Sequence, residues 1–201
     1  RAEFFLLKDL IIKLNKEKKI NCHLLVTGSH NSKFFGNTIS EIKNSKIKIK
    51  AVINLNIKGD SSNDIAKYVS TGINKFSYYF NKIKPDIIML LGDRYEIFSA
   101  AMAAHINRIP IAHISGGETT EGAIDESIRH SITKLSHLHF VSTKKYLNRV
   151  KQLGENIKNI HNVGSLGVEA IKNTRLLTKK EIQNKLKIEF KKNNFFDPQE
   201  M

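Results

Sequence analysis

The segment from residue 111 to residue 134, IAHISGGETTEGAIDESIRHSITK, gathers ionisable side chains behind a short apolar run. Within thirteen positions it holds four carboxylates, one guanidinium and one imidazole, on Glu118, Glu121, Asp125, Glu126, Arg129 and His130. Paired carboxylates can exchange protons with a substrate because burial and neighbouring charges move their pKa values apart. An arginine beside them can neutralise a phosphate. The segment therefore predicts acid–base chemistry on an anionic ligand.

A second polar group, Gly92-Asp93-Arg94, ends the apolar run DIIMLL, and Ser115 to Glu118 end the next run, IPIAHI. One helical segment separates the two runs, which predicts neighbouring parallel strands about 5 Å apart. Ligands of such sheets bind beyond the carboxyl ends of the strands. Asp125 falls in the first turn of the following helix, and Arg129 lies one turn later on the same flank. We therefore expect these groups to share one sheet edge, near a helix amino terminus that attracts phosphate.

Strand-like and helix-like segments alternate along the whole chain, with links of a few residues. The strands are predicted in CHLLVTG, IKIKAVINLNI, DIIMLLGD, IPIAHIS, HLHFVS and NIHNVGS, with helical segments between all of them except the first two. Such alternation predicts an α/β fold, a doubly wound parallel sheet with helices on both faces. In the helix that starts near Asp125, apolar spacing puts Arg129 at the margin of a core-facing stripe made by Ile124, Ile128, Ile132 and Leu135.

The composition limits the classes of protein to which the chain can belong. Its 201 residues, 40% of them hydrophobic, suffice for one substantial core. The single cysteine, Cys22, excludes a disulfide framework and favours a reducing, cytoplasmic setting. No apolar run reaches the roughly eighteen residues of a membrane span. Although the formal net charge is +14, the lysines are scattered among Asn and Ile, which is typical of a solvated surface rather than of a nucleic-acid site.

Each candidate group also has a simpler interpretation. Asp93 could cap the helix that follows it, and Gly116-Gly117 could be a turn that needs a positive φ. Asp125 and Arg129 could form a surface ion pair worth about a few tenths of a kcal/mol. Because all of these groups fall on consecutive elements at one edge, their joint occurrence favours a functional site.

Other kinds of site find less support in the sequence. His137 and His139 alternate on one predicted strand face, but no carboxylate-rich spacing accompanies them, so no metal site is predicted. The chain has no G-x-G-x-x-G after a strand, no G-x-x-x-x-G-K-[ST] loop and no G-x-S-x-G elbow. The usual sequence signals of dinucleotide binding, of a Walker A loop and of a serine hydrolase are therefore missing.

Three segments resemble a known family: GDRYEIFSAA, AHISGGETTEGAIDESIRHSITKLSHLHF and GSHNSKFFGNT. They are similar to the hydrolysing UDP-N-acetylglucosamine 2-epimerases of bacterial sialic acid and related nonulosonic acid synthesis, and the similarity covers nearly all of the chain. The resemblance implies a Rossmann-like doubly wound sheet, the first half of a two-domain glycosyltransferase-B-like fold. It implies an amino-terminal Rossmann-like domain at residues 1–165, without its first strand. Residues 166–201 would then hold connecting helices and the start of a truncated second domain, and such a chain is expected to be inactive alone.

The resemblance also implies a two-step reaction on a nucleotide sugar. Removal of the C2 proton eliminates UDP and leaves a 2-acetamidoglycal, to which water adds with inversion at C2 to release the free manno-configured sugar. The implied substrate is UDP-N-acetylglucosamine or the UDP-2,4-diacetamido-trideoxyhexose of legionaminic acid synthesis. No metal or other cofactor is implied, nor a nucleic-acid or membrane partner. The full-length protein is expected to be a cytoplasmic homo-oligomer.

The same resemblance assigns roles to individual residues. Asp93 and Asp125 match motif carboxylates with acid–base or sugar-binding roles, and Arg129 matches the arginine on the phosphate side. Some relatives carry a catalytic glutamate where this chain has Ser115, so Glu118 is inferred to be the remaining catalytic carboxylate of the loop. The predicted substrate-binding residues are Arg1, Arg94, His113, Ser115, Gly116, Gly117 and His130.

Three other functions stay open at this point. A non-hydrolysing UDP-N-acetylglucosamine 2-epimerase would return the UDP-linked epimer, and a glycosyltransferase of the B type would need an acceptor. A non-catalytic sugar-nucleotide-binding module would keep its function after Asp93 and Asp125 are replaced by asparagine. Analysis of the products separates these alternatives.

Overall fold

The computed structural model describes residues 2–28, 39–45, 47–56, 59–122 and 124–188. Its strands are β1 (Leu24–Thr27), β2 (Ile49–Ile53), β3 (Ile88–Leu91), β4 (Ile111–Ile114), β5 (Leu138–Val141) and β6 (Ile160–Asn162). Its helices are α1 (Ala2–Lys16), α2 (Ile39–Asn44), α3 (Ser62–Ile83), α4 (Tyr95–Ile106), α5 (Asp125–Leu135), α6 (Lys144–Gln152), α7 (Leu166–Lys172) and α8 (Lys179–Leu186).

The predicted alternation of strands and helices is confirmed, with one added helix. The sequence does not predict α2, because the six residues ISEIKN offer only Ile39 and Ile42 as apolar positions for a helical pattern. Arg1, most of the motif GSHNSKFFGNT and the last thirteen residues of the chain lie outside the described residues.

The strand pairs of the described residues are all parallel, as the predicted α/β class requires. Strands β3, β4, β5 and β6 follow one another in a four-stranded sheet, and β1 pairs with β2 in a two-stranded sheet. In the larger sheet Leu91 lies opposite Ile114, and Ile114 lies opposite Phe140. The carboxyl ends of β3, β4 and β5 are therefore level with one another.

Helices α3, α4 and α5 cover one face of the strands. Their contact with β2, β3 and β4 buries an apolar cluster that includes Ile53, Phe76, Ala104, Ile111 and Ile132. Helices α3 and α4 approach closely at Gly72, where an added Cβ would lie 2.6 Å from the Cβ of Ser99. Because the cluster includes residues of β2 and of β3, these helices hold the two-stranded sheet beside the four-stranded one.

Helix α7 packs against α1. The ammonium of Lys13 lies 3.1 Å from Glu169, and the Asn173 amide donates to Asp9 over 3.1 Å. The first residues after position 165 thus contact the first helix, while the division into two domains at that position stays a prediction. None of the helices in the described ranges has the length and apolar character needed to cross a membrane.

Candidate functional site

The loops after β3 and β4 begin side by side. The hydrogen-bond ladder continues one step past the strands, because the Gly92 N–H donates to Ile114 and the Ser115 N–H donates to Phe140. These bonds, of 3.2 Å and 2.9 Å, place the Gly92-Asp93-Arg94 loop next to the loop that starts at Ser115. The two polar segments therefore meet at one sheet edge.

Arg129 of α5 joins the two loops. One terminal nitrogen of its guanidinium donates to the Asp93 carboxylate, and the other donates to Glu118 Oε2 over 3.0 Å. The second nitrogen also lies 3.3 Å from the Ser115 carbonyl, and the first lies 3.5 Å from the Thr120 hydroxyl. With only 8% of its surface exposed, Arg129 is a buried cation held between two carboxylates.

The burial of Arg129 corrects two sequence predictions. The residue lies beneath α5 rather than at its margin, whereas Ile124, expected in the core stripe, is 64% exposed. Burying a lone guanidinium is costly, but Asp93 and Glu118 supply the opposite charge at the sheet edge, so this helix face can turn inward. Arg129 pairs with these two acids and not with Asp125, which is half-buried in the first turn of α5. The surface-pair interpretation is therefore wrong.

Asp93 is not a helix cap. The N-cap position of α4 is Arg94, which makes no side-chain capping bond, and the Asp93 carboxylate accepts from Arg129 instead. Its side chain is 14% exposed, so it sits at the rim of the buried region. Asp93 can therefore reach a ligand while it remains paired.

Both carboxylate oxygens of Glu118 have partners. Oε2 accepts from Arg129, and Oε1 accepts from the Ser142 hydroxyl over 2.9 Å. Ser142 follows β5, so Glu118 connects the ends of three neighbouring strands through side chains. At 28% exposure the Glu118 side chain is more open to solvent than Asp93.

The Ser115-Gly116-Gly117 turn is pressed against α6. Ser115 and Gly117 both have positive φ, at 65° and 76°. A Cβ on Gly117 would lie 2.8 Å from the Tyr146 carbonyl and 2.8 Å from Val150, and Arg149 donates to the Gly117 carbonyl over 2.8 Å. Gly117 thus satisfies both a left-handed backbone and a close approach.

The other predicted substrate-binding residues differ in how they are placed. His113 is completely buried, so its ring is not exposed to a ligand in this structure; it lies 2.9 Å from the Gly92 carbonyl. Arg94 is about half exposed and pairs with Glu3 over 2.8 Å. His130 is partly buried, with Nε2 3.7 Å from Glu126. Arg1 lies outside the described residues.

The histidines of β5 and its approach have protein partners. His137 Nδ1 accepts from the Ile111 N–H over 3.3 Å, and His139 Nε2 lies 3.3 Å from the Glu155 carboxylate. Burial lowers the pKa of His139, while Glu155 opposes that shift. In the part of the chain that the structure describes, no cluster of three or more His, Cys, Asp or Glu side chains has the arrangement of a metal site.

Comparison with known proteins identifies the family. The profile of the family described as UDP-N-acetylglucosamine 2-epimerase matches residues 12–198. The chain belongs to the UDP-N-acetylglucosamine 2-epimerase family. Among its relatives, the GDP/UDP-N,N'-diacetylbacillosamine 2-epimerase (hydrolyzing) of Campylobacter jejuni is 42% identical, over 96% of this chain and 50% of the relative. The polysialic acid biosynthesis protein P7 of Escherichia coli is 43% identical, over 92% of this chain and 47% of the relative.

The solved structures support the Rossmann-like fold of this family member. A crystal structure of a UDP-N-acetylglucosamine 2-epimerase superposes with a TM-score of 0.80 at 20% identity, covering 92% of this chain and 52% of that one. The predicted Rossmann-like parallel sheet is thereby confirmed. The chain spans about half the length of the curated relatives it matches.

Sequence reasoning missed a partly buried carboxyl group, that of Glu96 on α4, which lies against Gly28 just after β1. Burial raises the pKa of Glu96, and the Tyr68 hydroxyl lies 3.3 Å from its Oε2 as a donor. Its Oε1 fills the space where a Cβ of Gly28 would stand. Glu96 belongs to the GDRYE stretch of the 2-epimerase resemblance, so that motif was the available signal. Ser142 could have been found by the same strand-end rule that predicted Asp93 and Ser115.

A Gly117→Ala substitution is expected to destabilise the protein more than Gly122→Ala. Both residues have positive φ, at 76° and 79°, so both variants bear the cost of a left-handed alanine. Only Gly117 also faces the backbone of α6, whereas a Cβ at Gly122 meets nothing within 4 Å. The free energy of unfolding from urea titrations should therefore be about 1–3 kcal/mol lower for Gly117→Ala than for Gly122→Ala. Equal losses would contradict the close approach to α6.

Proposed function

We propose that this chain supplies acid–base residues to a hydrolysing 2-epimerase that converts UDP-N-acetylglucosamine, or a UDP-2,4-diacetamido-trideoxyhexose, to UDP and the free manno-configured sugar. The observation that carries the proposal is the junction of Asp93, Glu118 and Arg129 at the carboxyl edge of the sheet. The name of the Campylobacter jejuni relative, a hydrolysing 2-epimerase, supports this reaction class.

The reaction requires two proton transfers at C2. In the first step a carboxylate removes the C2 proton, the C1–O bond to the diphosphate breaks, and UDP leaves with the bonding electrons. In the second step water adds to the glycal, its hydroxyl to C1 and a proton to C2 from the opposite face. Asp93, Glu118 and Asp125 are the carboxylates we assign to these transfers.

Arg129 contributes mainly through charge. Its two terminal nitrogens are held by Asp93 and Glu118. The guanidinium is buried beside the carboxylates, where the effective dielectric is low. Its positive charge therefore allows two carboxylates to lie close together at the sheet edge.

The remaining assignments are proposals that follow from the family resemblance. Arg94, Ser115, Gly116, Gly117 and His130 are assigned to substrate contact, together with Arg1. The complete protein is proposed to be a cytoplasmic homo-oligomer that needs no cofactor. We propose that residues 1–165 form its amino-terminal domain and that residues 166–201 hold connecting helices and the start of a second domain.

Product analysis in D₂O tests the proposed function. The complete protein that contains this chain is incubated with each nucleotide sugar, UDP is quantified by chromatography, and the sugar is identified by NMR. We expect free UDP, a free manno-configured sugar and deuterium at C2. A UDP-linked epimer would indicate the non-hydrolysing reaction, and UDP release that depends on an added acceptor would indicate a transferase. Release of sugar without C2 deuterium would contradict the proposed proton transfers.

An Asp93→Asn variant should release UDP about a hundredfold more slowly while it still binds UDP, because the amide keeps the shape of the carboxylate but is not a base. Asp86→Asn is the matched control, since Asp86 is exposed just before the amino end of β3, on the opposite edge of the sheet. Its turnover should equal that of the unchanged protein. Initial rates of UDP release and calorimetric UDP binding provide the measurements. Normal turnover of Asp93→Asn would support a non-catalytic role for this site.

A further inference from the structure

His113 lies in a closed ring of contacts behind the charged junction. Its Nε2 is 2.9 Å from the Gly92 carbonyl, and its Nδ1 is 3.2 Å from the Thr133 hydroxyl. Thr133 is one turn after Arg129 in α5, and its hydroxyl also lies 3.0 Å from the Arg129 carbonyl. Arg129 in turn binds Asp93, which follows Gly92. These contacts therefore link the β3 loop, β4 and α5 to one another.

The partners of His113 define its tautomer. The Gly92 carbonyl can only accept, so the hydrogen of the neutral ring is on Nε2. Nδ1 then has a lone pair 3.2 Å from the Thr133 hydroxyl, whose single hydrogen is donated to the Arg129 carbonyl. Both side chains are completely buried, so water does not compete for either bond. The imidazole thus donates to the loop after β3 and contacts α5 through Nδ1.

The loop after β4 also contacts His113 and Thr133. A Cβ at Gly116 would lie 3.0 Å from the Thr133 hydroxyl and 3.1 Å from His113 Nδ1. Gly92 itself has a φ of 81°, and a Cβ there would meet nothing within 4 Å, so its backbone is restrained by hydrogen bonds rather than by close packing at this position. The Gly92 N–H is bonded to Ile114, and the hydrogen bond from His113 is the restraint on the Gly92 carbonyl, directly before Asp93.

We propose that His113 is a positioning residue, which holds the Gly92–Asp93 loop at a set distance from α5 so that the Asp93 carboxylate meets both Arg129 and the substrate. The inference rests on the proposed 2-epimerase function for its kinetic readout only. The sequence predicts direct substrate contact for His113. In this proposal His113 instead acts through Asp93.

Two substitutions of His113 separate the contact made by Nε2 from the contact made by Nδ1. Glutamine can place an amide N–H near the position of Nε2 and so keep the bond to Gly92, whereas asparagine reaches only the position of Nδ1. We expect His113→Gln to retain turnover within about threefold, and His113→Asn to lower kcat by about tenfold to a hundredfold with little change in KM. On α5, Thr133→Val should lower kcat, whereas the matched control Ser136→Ala should not. Ser136 makes the same kind of bond, over 2.7 Å to the Ile132 carbonyl, but has no histidine partner.

The deciding experiment is a double-mutant cycle between His113→Asn and Asp93→Asn in the complete protein, followed by both UDP release and urea unfolding. If His113 acts through Asp93, its substitution should have less than about a twofold further effect on turnover once Asp93 is changed. Losses that multiply, or equal losses in the Asn and Gln variants, would overturn the proposal and indicate a purely structural role.

A tautomer measurement keeps the proposal testable apart from the reaction. Nitrogen-15 NMR of the histidine side chains, assigned with His113→Gln, should show hydrogen on Nε2 alone at pH 7. Hydrogen on Nδ1 would overturn the arrangement. If the unchanged protein releases no UDP from either nucleotide sugar, the proposed function fails, and the unfolding cycle and the tautomer still decide whether His113 restrains the Asp93 loop.

Discussion

Replacing Arg129 by methionine is expected to lower the free energy of unfolding by about 3–5 kcal/mol, as is typical when one partner of a buried ion pair is removed. Methionine preserves much of the apolar stem of arginine, so little packing is lost. It leaves the Asp93 and Glu118 carboxylates, 14% and 28% exposed, close together without a counter-charge. Two like charges in that setting disfavour the folded state.

Equilibrium unfolding in urea at pH 7 measures this loss, and Arg175→Met is the matched control. Arg175 forms an ion pair of 2.7 Å with Glu181, but its side chain is 82% exposed, so the change should be within about 0.5 kcal/mol. Adding Asp93→Asn to Arg129→Met should recover part of the stability, because one unpaired charge disappears. A loss of less than about 1 kcal/mol for Arg129→Met would contradict the buried junction.

The second large effect is a loss of stability in acid that depends on His113. Burial lowers the pKa of this imidazole from the ordinary value of 6.5 to about 4, although the bond to the Gly92 carbonyl opposes the shift. Between these two values the unfolded chain binds a proton that the folded chain does not. The free energy of unfolding therefore falls as the pH drops from 6.5 towards 4 and levels off below that. A shift of roughly 2.5 pKa units corresponds to a loss of about 3 kcal/mol.

Unfolding free energies of the unchanged protein and of His113→Gln, measured between pH 7 and pH 4, isolate this contribution. Glutamine does not titrate, so its curve should lack the His113 term and the difference between the two proteins should change by about 3 kcal/mol over the range. His139 responds in the same direction, but it is present in both proteins and cancels from the difference. Parallel curves would show that the His113 ring is not held neutral.

The sequence predicts the fold and the meeting of the loops well, for physical reasons that can be named. Short apolar runs between amphipathic helical segments can only be buried in a parallel sheet. Once β3 and β4 are neighbours, Asp93 and Ser115 must follow their carboxyl ends, and the structure places both loops there. The family is confirmed by the profile match over residues 12–198.

The inward turn of Arg129 could not be predicted from the pattern of its own helix. Hydrophobic periodicity predicts that a cation is exposed and that Ile124 is buried, whereas the structure shows the opposite for both residues. The burial of Arg129 depends on Asp93 and Glu118, which lie 36 and 11 positions away in the chain. His113 presents the same difficulty, because only the sheet register places it between Gly92 and Thr133.

Because the strands form two separate sheets, the two parts of the fold need not unfold together. Within the described residues, β1 pairs only with β2, and a lone two-stranded sheet is marginal in water. Packing against α3 and α4, through residues such as Ile53 and Phe76, stabilises this strand pair. Fluctuations that peel this strand pair away can therefore occur while the larger sheet stays intact. The contact between Glu96 and Gly28 joins α4 to the end of β1, so such a fluctuation would break it. Arg129 and its acids are attached to the four-stranded sheet and would keep their contacts.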